Sequence, residues 1–259
     1  MQYGLAFNYI IGRTGGWTNL LLITVCTLIP VLGPIVLLGY QAEVAIALMQ
    51  DEERRGHKDF NFDRFMEYLT RGLWPFLMSL VVSVAIIPLF FVFFILGGVA
   101  AAAAPDIGFV FLILGYFLAI GVTIALSVFT APMHFHAGLA NKFDFGAAFR
   151  FTKSFWSTVG MKALGSWLVF VVLSMGVALV GLLACFVGIY PASALIQMAS
   201  QHLHVQLYDE YLDRGGEPIE IAPIEKKSAK RKRRRDDDED YEDDEEPRRR
   251  RRERDEEPE

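Results

Sequence analysis

Long stretches without charged residues make up most of the chain. No Asp, Glu, Lys or Arg occurs in residues 14–42, 72–105, 107–141 or 163–208, which are runs of 29, 34, 35 and 46 residues. An apolar stretch of 18 or more residues is typical of a transmembrane helix, and about 20 residues are needed to cross a bilayer. The pattern therefore predicts an all-α integral membrane protein and excludes a water-soluble fold.

The apolar runs predict repeated helical hairpins. The second and third runs are separated only by Pro105 and Asp106, so they predict one hairpin with spans at about 73–103 and 107–131. The run of 46 residues is too long for one span. A tight turn near 176–181 would divide it into spans at about 161–179 and 182–200, which would form a second hairpin.

The distribution of basic residues predicts the orientation of these hairpins. Neither hairpin turn contains Lys or Arg, whereas both connecting segments contain several: Arg54, Arg55, Lys58, Arg64 and Arg71 before the first hairpin, and Lys142, Arg150, Lys153 and Lys162 between the two. Cytoplasmic loops carry an excess of Lys and Arg. We therefore expect the connecting segments and the C-terminus to be cytoplasmic.

The first apolar run allows two interpretations. Residues 17–40 could form a single span, which would give five crossings. Pro30 and Pro34 interrupt the run, however, and proline removes a helix hydrogen bond. A bent hairpin that extends to residue 49 would give six crossings and would place both chain ends on one side. The sequence therefore allows either five or six spans, and the side of the membrane on which the N-terminus lies depends on this number.

Phenylalanine-rich stretches precede the membrane hairpins and form a weak internal repeat. Residues 60–65 read FNFDRF and residues 143–149 read FDFGAAF, and each stretch is followed by an aromatic anchor, Trp74 or Trp156. Such stretches are typical of amphipathic helices in the membrane interface, and Trp favours the headgroup level. Residues 1–16 are assigned as an N-terminal interfacial segment that resembles a third, degraded copy.

The average composition conceals a separate C-terminal tail. The chain is 53% hydrophobic and 21% charged, but residues 225–259 contain 14 of the 25 basic and 16 of the 30 acidic residues. A segment with almost nothing apolar to bury does not fold alone, so residues 216–259 are predicted to be a disordered polyampholyte. Its basic runs could bind anionic lipid or a protein partner. Nucleic acid is disfavoured because the neighbouring acidic run competes for the same charges.

Few residues in the apolar region carry chemistry. Glu43 is the single acid within its apolar stretch, and intramembrane acids often serve ion or proton pathways. Two His-x-His pairs, at 134/136 and 202/204, could form a metal site only if they met across helices, because helical residues two apart point in different directions. We predict no metal site, no cofactor and no catalytic residue, since no known catalytic signature is present.

Small residues four apart suggest close packing between helices. The pairs are Gly115/Ala119, Gly121/Ala125 and Ala184/Gly188. This spacing allows membrane helices to approach closely. Packing within one chain is the simpler interpretation, and a homo-oligomer is the alternative.

Three motifs together resemble a known family. They are IPVLGP at 29–34 running into LGYQ at 38–41, FNFDRF at 60–65, and YLTRGLWPF at 68–76. Their order over roughly residues 17–215 resembles the prokaryotic multi-pass membrane proteins called domain of unknown function 4013. The resemblance implies a location in the cytoplasmic membrane and structural roles, such as a glycine for close helix approach and a tyrosine at the interface. The motif residues concerned are Pro34, Gly39, Tyr40, Phe62, Asp63, Gly72 and Trp74.

Two functional hypotheses follow from these features. The first is a non-enzymatic protein that organises or anchors partners at the membrane through its cytoplasmic tail. The alternative is a small-solute or lipid transporter, which the pseudo-repeats and proline-broken helices suggest.

Overall fold

The computed structural model of the chain describes residues 1–184 and 187–224, and in these ranges all regular structure is helical. Residues 1–222 form one compact unit. Within the described ranges a single 3-10 turn lies at Phe62–Arg64, and the seven α-helices are α1 (Tyr3–Ile11), α2 (Gly16–Thr27), α3 (Leu32–Gln50), α4 (Phe65–Ala103), α5 (Pro105–Ala140), α6 (Phe145–Leu183) and α7 (Ile189–Asp213). The prediction of an all-α fold is confirmed.

Four of the described helices are long and apolar enough to cross a membrane, and they indicate a membrane protein. They are α3, α4 with its preceding 3-10 turn, α5 and α6. The helices α4, α5 and α6 contain 39, 36 and 39 residues, so each is about 54–58 Å long, against a hydrocarbon core of about 30 Å. Most large apolar side chains of α4 between Leu80 and Val99 are exposed, as are most of those of α5 between Phe109 and Phe129.

The described helices differ from the predicted five or six spans at two places. α2 has only 12 residues and is about 18 Å long, which is too short to cross. α7 lacks charge from Ile189 to Tyr208 but contains Gln197, Gln201 and His204, so it is uncharged without being apolar. The predicted spans at 161–179 and 182–200 correspond to α6, which continues to Leu183, and to the first half of α7. The region 176–181, where the turn was predicted, lies inside α6, and α6 and α7 are separated by residues 184–188, of which 185–186 are outside the described residues.

The first apolar run is broken at residues 28–31, between α2 and α3. Val31 has a φ of 63°, and Pro34 occupies the first turn of α3, where proline needs no hydrogen-bond partner for its nitrogen. Asn19, near the start of α2, contacts His57 in the segment that follows α3. The start of α2 and the end of α3 therefore lie at the same end of the bundle. In the bent-hairpin interpretation, α2 corresponds to the first arm and α3 to the second.

Two glycines allow α3 to reach the centre of the bundle. A Cβ at Gly39 would overlap the carbonyl oxygen of Tyr68, and a Cβ at Gly72 would overlap the carbonyl oxygen of Ile35. Gly39 and Gly72 thus lie directly against each other where α3 crosses α4. α3 also contacts α2, α5 and α7, so most of its surface is buried by protein rather than exposed to lipid.

The phenylalanine-rich stretches do not form separate interfacial helices. Phe60 is buried before the 3-10 turn, whereas Phe65 and Phe145 are the first residues of α4 and α6. These stretches run directly into the long helices: α4 follows the 3-10 turn without a break, and Asp144 caps the start of α6 by accepting a hydrogen bond from the Ala147 amide. α1, which covers most of the predicted interfacial segment, instead packs against α7, with Tyr9 donating a hydrogen bond to the Met198 carbonyl at 3.0 Å.

The basic connecting segments gather at one end of the bundle. Arg54 binds Asp209 near the end of α7 at 2.8 Å, and Lys162 binds Glu210 at 2.6 Å. The sequence places the start of the tail at residue 216, whereas residues 216–222 pack here: the Ile219 amide donates to the Tyr208 hydroxyl at 2.7 Å. The predicted disordered segment 225–259 lies outside the described residues.

Candidate functional site

Glu43 is the centre of a buried ion cluster. Its side chain is 3% exposed, and each of its oxygens accepts a hydrogen bond from Arg64 at 2.7 Å. Lys58 binds the same carboxylate at 2.7 Å, and Arg64 also pairs with Glu67. Two acids and two bases therefore neutralise one another. Glu43, the predicted intramembrane acid, is therefore held by fixed partners, and its ion pairs connect α3 to the start of α4.

A second polar network surrounds Tyr40, which is buried rather than placed at an interface. Its hydroxyl donates to the Lys58 carbonyl at 2.6 Å and accepts from Asn19 at 3.1 Å. Asn19 also accepts from the Phe60 amide at 2.7 Å. Burial, together with the charge of Arg13, lowers the pKa of His57 to about 4. This network fastens residues 57–60 against α2 and α3.

The remaining motif residues have local structural contacts. Asn61 accepts a hydrogen bond from the Asp63 amide at 2.8 Å and so caps the 3-10 turn, in which Phe62 is 39% exposed. Trp74 packs against a small apolar cluster of Met78, Met133, Ala137 and Ala148. Together with Gly39 and Gly72, these residues connect α3, α4, α5 and α6 at one level of the bundle.

A cavity of about 230 Å³ lies between five helices just beside this level. α3, α4, α5, α6 and α7 all contribute to it, and its polar lining residues are Ser127, His134, Gln201 and His204, with Trp167 on α6. Among the lining residues there is no Asp, Glu, Lys or Arg. Gln201 is tied to Gln41 of α3 by a hydrogen bond of 3.1 Å. The cavity therefore offers uncharged hydrogen-bonding groups in an apolar surround.

His204 is the polar group in this cavity that has no fixed partner. Its ring stacks on Phe135 at 5.7 Å and meets the edge of Trp167 at 5.0 Å, and both ring nitrogens are shielded from solvent without a partner in hydrogen-bond geometry. Burial, together with the nearby His134, lowers the pKa of His204 to about 4, while the Ser200 carbonyl acts in the opposite direction. At neutral pH the ring is therefore uncharged, with one donor and one acceptor nitrogen.

The two His-x-His pairs contribute one residue each to the cavity. His134 lies 3.2 Å from the Ser79 hydroxyl and faces the same space as His204. His136 packs on Phe151 and lines a different surface, while His202 contacts the Arg54 carbonyl at 3.0 Å. In the described part of the chain, no three residues of metal-binding type come together.

An apolar groove between α5 and α6 borders the cavity. It encloses about 420 Å³ and is lined by Gly121, Ile124, Ala125, Val128, Phe129, Trp156, Leu164, Trp167, Leu168 and Val171. Val128 and Trp167 line both the groove and the cavity. The groove lies on two of the helices that could cross a membrane. The site as a whole has a lateral apolar part and an inner polar part.

The small-residue pairs serve different purposes in the structure. A Cβ at Gly115 would overlap the ring of Phe93, and one at Gly188 would contact the carbonyl of Gly181 at 2.6 Å. Both glycines therefore pack within the chain. Gly121 has no atom within 4 Å of its Cβ position and opens onto the groove. The predicted homo-oligomer stays a prediction.

Sequence reasoning missed the cavity and the groove, although spacing carries a signal for both. Ser127 and His134 are seven residues apart on α5, and Trp156 and Trp167 are eleven apart on α6. Such spacings place residues on one face of a helix. Polar or aromatic residues that share one face of an otherwise apolar helix are therefore the sequence signal that predicts this site.

Comparison with known proteins bears out the motif-based resemblance. The family model described as protein of unknown function (DUF4013) matches residues 22–189. The matched range contains the seven motif residues and most of the groove and cavity. Comparison with curated proteins and with solved structures gave no match.

Proposed function

The chain belongs to the DUF4013 family of proteins of unknown function, and we propose that it is a lipid-binding membrane protein. The observation that carries this proposal is that the apolar groove and the polar cavity are adjacent and share the lining residues Val128 and Trp167. A membrane lipid has the same two parts, an apolar chain and a polar head.

The position of the groove supports a ligand that arrives from the bilayer. α5 and α6 expose apolar side chains along the groove, such as Ile124 and Leu168. Along α6 the groove runs from Trp156 to Val171, which is about 22 Å of helix. An acyl chain in this groove would leave the bilayer without meeting water, and its head would enter the cavity past Trp167.

This proposal develops the transporter hypothesis in the direction of lipids. Binding rather than catalysis is the proposed activity. Glu43 is expected to stabilise the fold instead of carrying an ion, because Arg64 and Lys58 neutralise it. The organiser hypothesis depends on residues 225–259, which lie outside the described residues, so binding of anionic lipid or of a protein partner by the tail stays a prediction.

We propose a cytoplasmic-membrane location with the C-terminus in the cytoplasm. Two observations support this topology. The turn 141–144 and the segment 51–61 lie at the same end of the bundle as residues 209–222, through the pairs Lys142–Glu220 and Arg54–Asp209. These are the basic segments that the positive-inside rule places in the cytoplasm.

The proposal is tested by identifying lipids that stay bound during purification. The full chain is purified from native membranes in mild detergent, and bound lipids are extracted and identified by mass spectrometry. Gly121→Leu fills the groove, while Gly176→Leu is the matched control, because neither site has an atom within 4 Å of its Cβ position and Gly176 does not line the groove. We expect a stoichiometric amount of bound lipid in the wild type and in the control. We expect Gly121→Leu to lack this lipid. Equal lipid in all three proteins, or none in any, would contradict the proposal.

A further inference from the structure

We infer that the cavity selects the lipid by its head, and that this head is small, uncharged and bears a hydroxyl group, as in diacylglycerol or a long-chain alcohol. The inference rests on the proposed function and adds the chemical class of the ligand. Three features of the cavity carry it: its charge, its size and the free hydrogen-bonding groups of His204.

The lining of the cavity disfavours a charged head. Its nearest ionic groups by sequence, Glu43 and Arg71, are not among the lining residues, and Glu43 is already bound by Arg64 and Lys58. A charge buried without a partner costs several kcal/mol. A phosphate head would therefore lose its hydration and gain no cation in return.

The size of the cavity limits the head further. Sites for drug-sized ligands usually enclose about 300–1,000 Å³, whereas this cavity encloses about 230 Å³. The indole of Trp167 and the ring of Phe135 border it. A glycerol backbone or a single alcohol fits such a space.

The chemistry of His204 matches a hydroxyl group. The neutral ring has one donor and one acceptor nitrogen. Neither meets strict hydrogen-bond geometry with a described residue, and the Ser200 carbonyl, which interacts with the ring, can accept from the donor nitrogen but leaves the acceptor nitrogen without a donor. A hydroxyl both donates and accepts, so it can bind either tautomer. In contrast, Ser127 and Ser79 already donate to carbonyls within their own helices, at 2.8 and 3.1 Å. His204 is therefore the residue on which recognition depends.

The apolar groove cannot supply this selectivity. Lipid tails are as apolar as the side chains of membrane helices, so moving an acyl chain from the bilayer into the groove gains little free energy. Discrimination between lipids must then come from hydrogen bonds made in the cavity, where the surroundings are apolar and unmet polar groups are costly.

The test uses the full chain reconstituted in phosphatidylcholine nanodiscs with lipids that carry a photoreactive group on one acyl chain. The diacylglycerol probe is expected to label the protein at least about a hundredfold more efficiently than the phosphatidic acid probe, since the latter brings a buried charge. His204→Phe keeps the aromatic contacts but loses the hydrogen bonds, and should weaken labelling by diacylglycerol about fivefold to tenfold. His204→Gln, which keeps a donor and an acceptor, should restore most of it.

The controls separate the two proposals. His136→Phe changes a histidine on the same bundle that does not line the cavity, and it should leave labelling unchanged. If both probes label equally and His204→Phe has no effect, the head-group inference is overturned while the lipid site stands. If Gly121→Leu does not reduce labelling by either probe, both proposals are overturned.

Discussion

The contact between Gly39 and Gly72 should make α3 intolerant of even one added methyl group. In Gly39→Ala the new Cβ would overlap the backbone carbonyl of Tyr68 and would lie 2.8 Å from the Gly72 nitrogen. Backbone atoms in the middle of two long helices cannot rotate away as a side chain can. The helices must therefore separate, and the cluster that joins Glu43 to Arg64 lies one turn from the crossing.

The magnitude follows from two opposing terms. Replacing glycine by alanine inside a helix favours folding by about 1 kcal/mol, whereas overpacking a close contact costs about 1–3 kcal/mol and occasionally more. For a contact made by backbone on both sides we expect the upper end, which leaves a net loss of about 2 kcal/mol. For a unit of this size that corresponds to a fall in Tm of about 4–8 °C.

The assay is thermal unfolding of the full chain in one detergent, followed by intrinsic tryptophan fluorescence. Gly176→Ala is the matched control, because its Cβ position has no atom within 4 Å, and it should leave Tm unchanged or raise it slightly. If Gly39→Ala were as stable as Gly176→Ala, the two helices would not touch at this point and the reasoning would be refuted.

Further predictions concern the ionisable groups. Glu43→Gln removes a carboxylate that is 3% exposed and leaves Arg64 and Lys58, which are 22% and 35% exposed, facing a neutral amide. We expect the free energy of unfolding to fall by about 2 kcal/mol, since partial exposure and the remaining pair with Glu67 reduce the penalty of an unpaired buried charge. Glu67→Gln, with one partner and 34% exposure, should cost less than about 1 kcal/mol. The pKa of His204 is about 4 in the folded protein against about 6.5 when unfolded. The unfolded state therefore binds the proton first, and the contribution of His204 to stability, at most about 3 kcal/mol, is lost as pH falls from about 6.5 to about 4. His204→Phe should flatten the profile of Tm against pH in that window; an unchanged profile would show that the ring is not buried uncharged. Asp209→Asn weakens the pair with Arg54, which is about 30% exposed on both sides, and should lower Tm by no more than a few degrees.

The general class of the fold could be predicted from the sequence because long uncharged runs leave few alternatives. The hairpin turn at Pro105 is an example, since α4 ends at Ala103 and α5 begins at Pro105. The α7 segment shows where this reasoning is insufficient. Absence of charge from 163 to 208 predicted a second span at 182–200, yet Gln197, Gln201 and His204 make α7 polar, and its partners are other helices.

The candidate site could be predicted only in part. Glu43 was recognisable as an unusual acid, but the partners that neutralise it come from residues 15 and 21 positions later, Lys58 and Arg64, and nothing local in the sequence pairs them with it. The cavity depends on five helices meeting around His134 and His204. Which histidine of each pair faces inward depends on the rotation of two helices, and a spacing of two residues does not determine it.

The measurement that tests the account most directly is a map of where a bound lipid touches the protein. A photoreactive acyl chain is cross-linked to the full chain in nanodiscs, and the labelled peptides are located by mass spectrometry. We expect cross-links concentrated on residues 121–129 of α5 and 156–171 of α6, with loss of both sets in Gly121→Leu and not in Gly176→Leu. Labelling spread evenly over the exposed apolar faces of α4, α5 and α6, unchanged by either variant, would contradict a lateral lipid site.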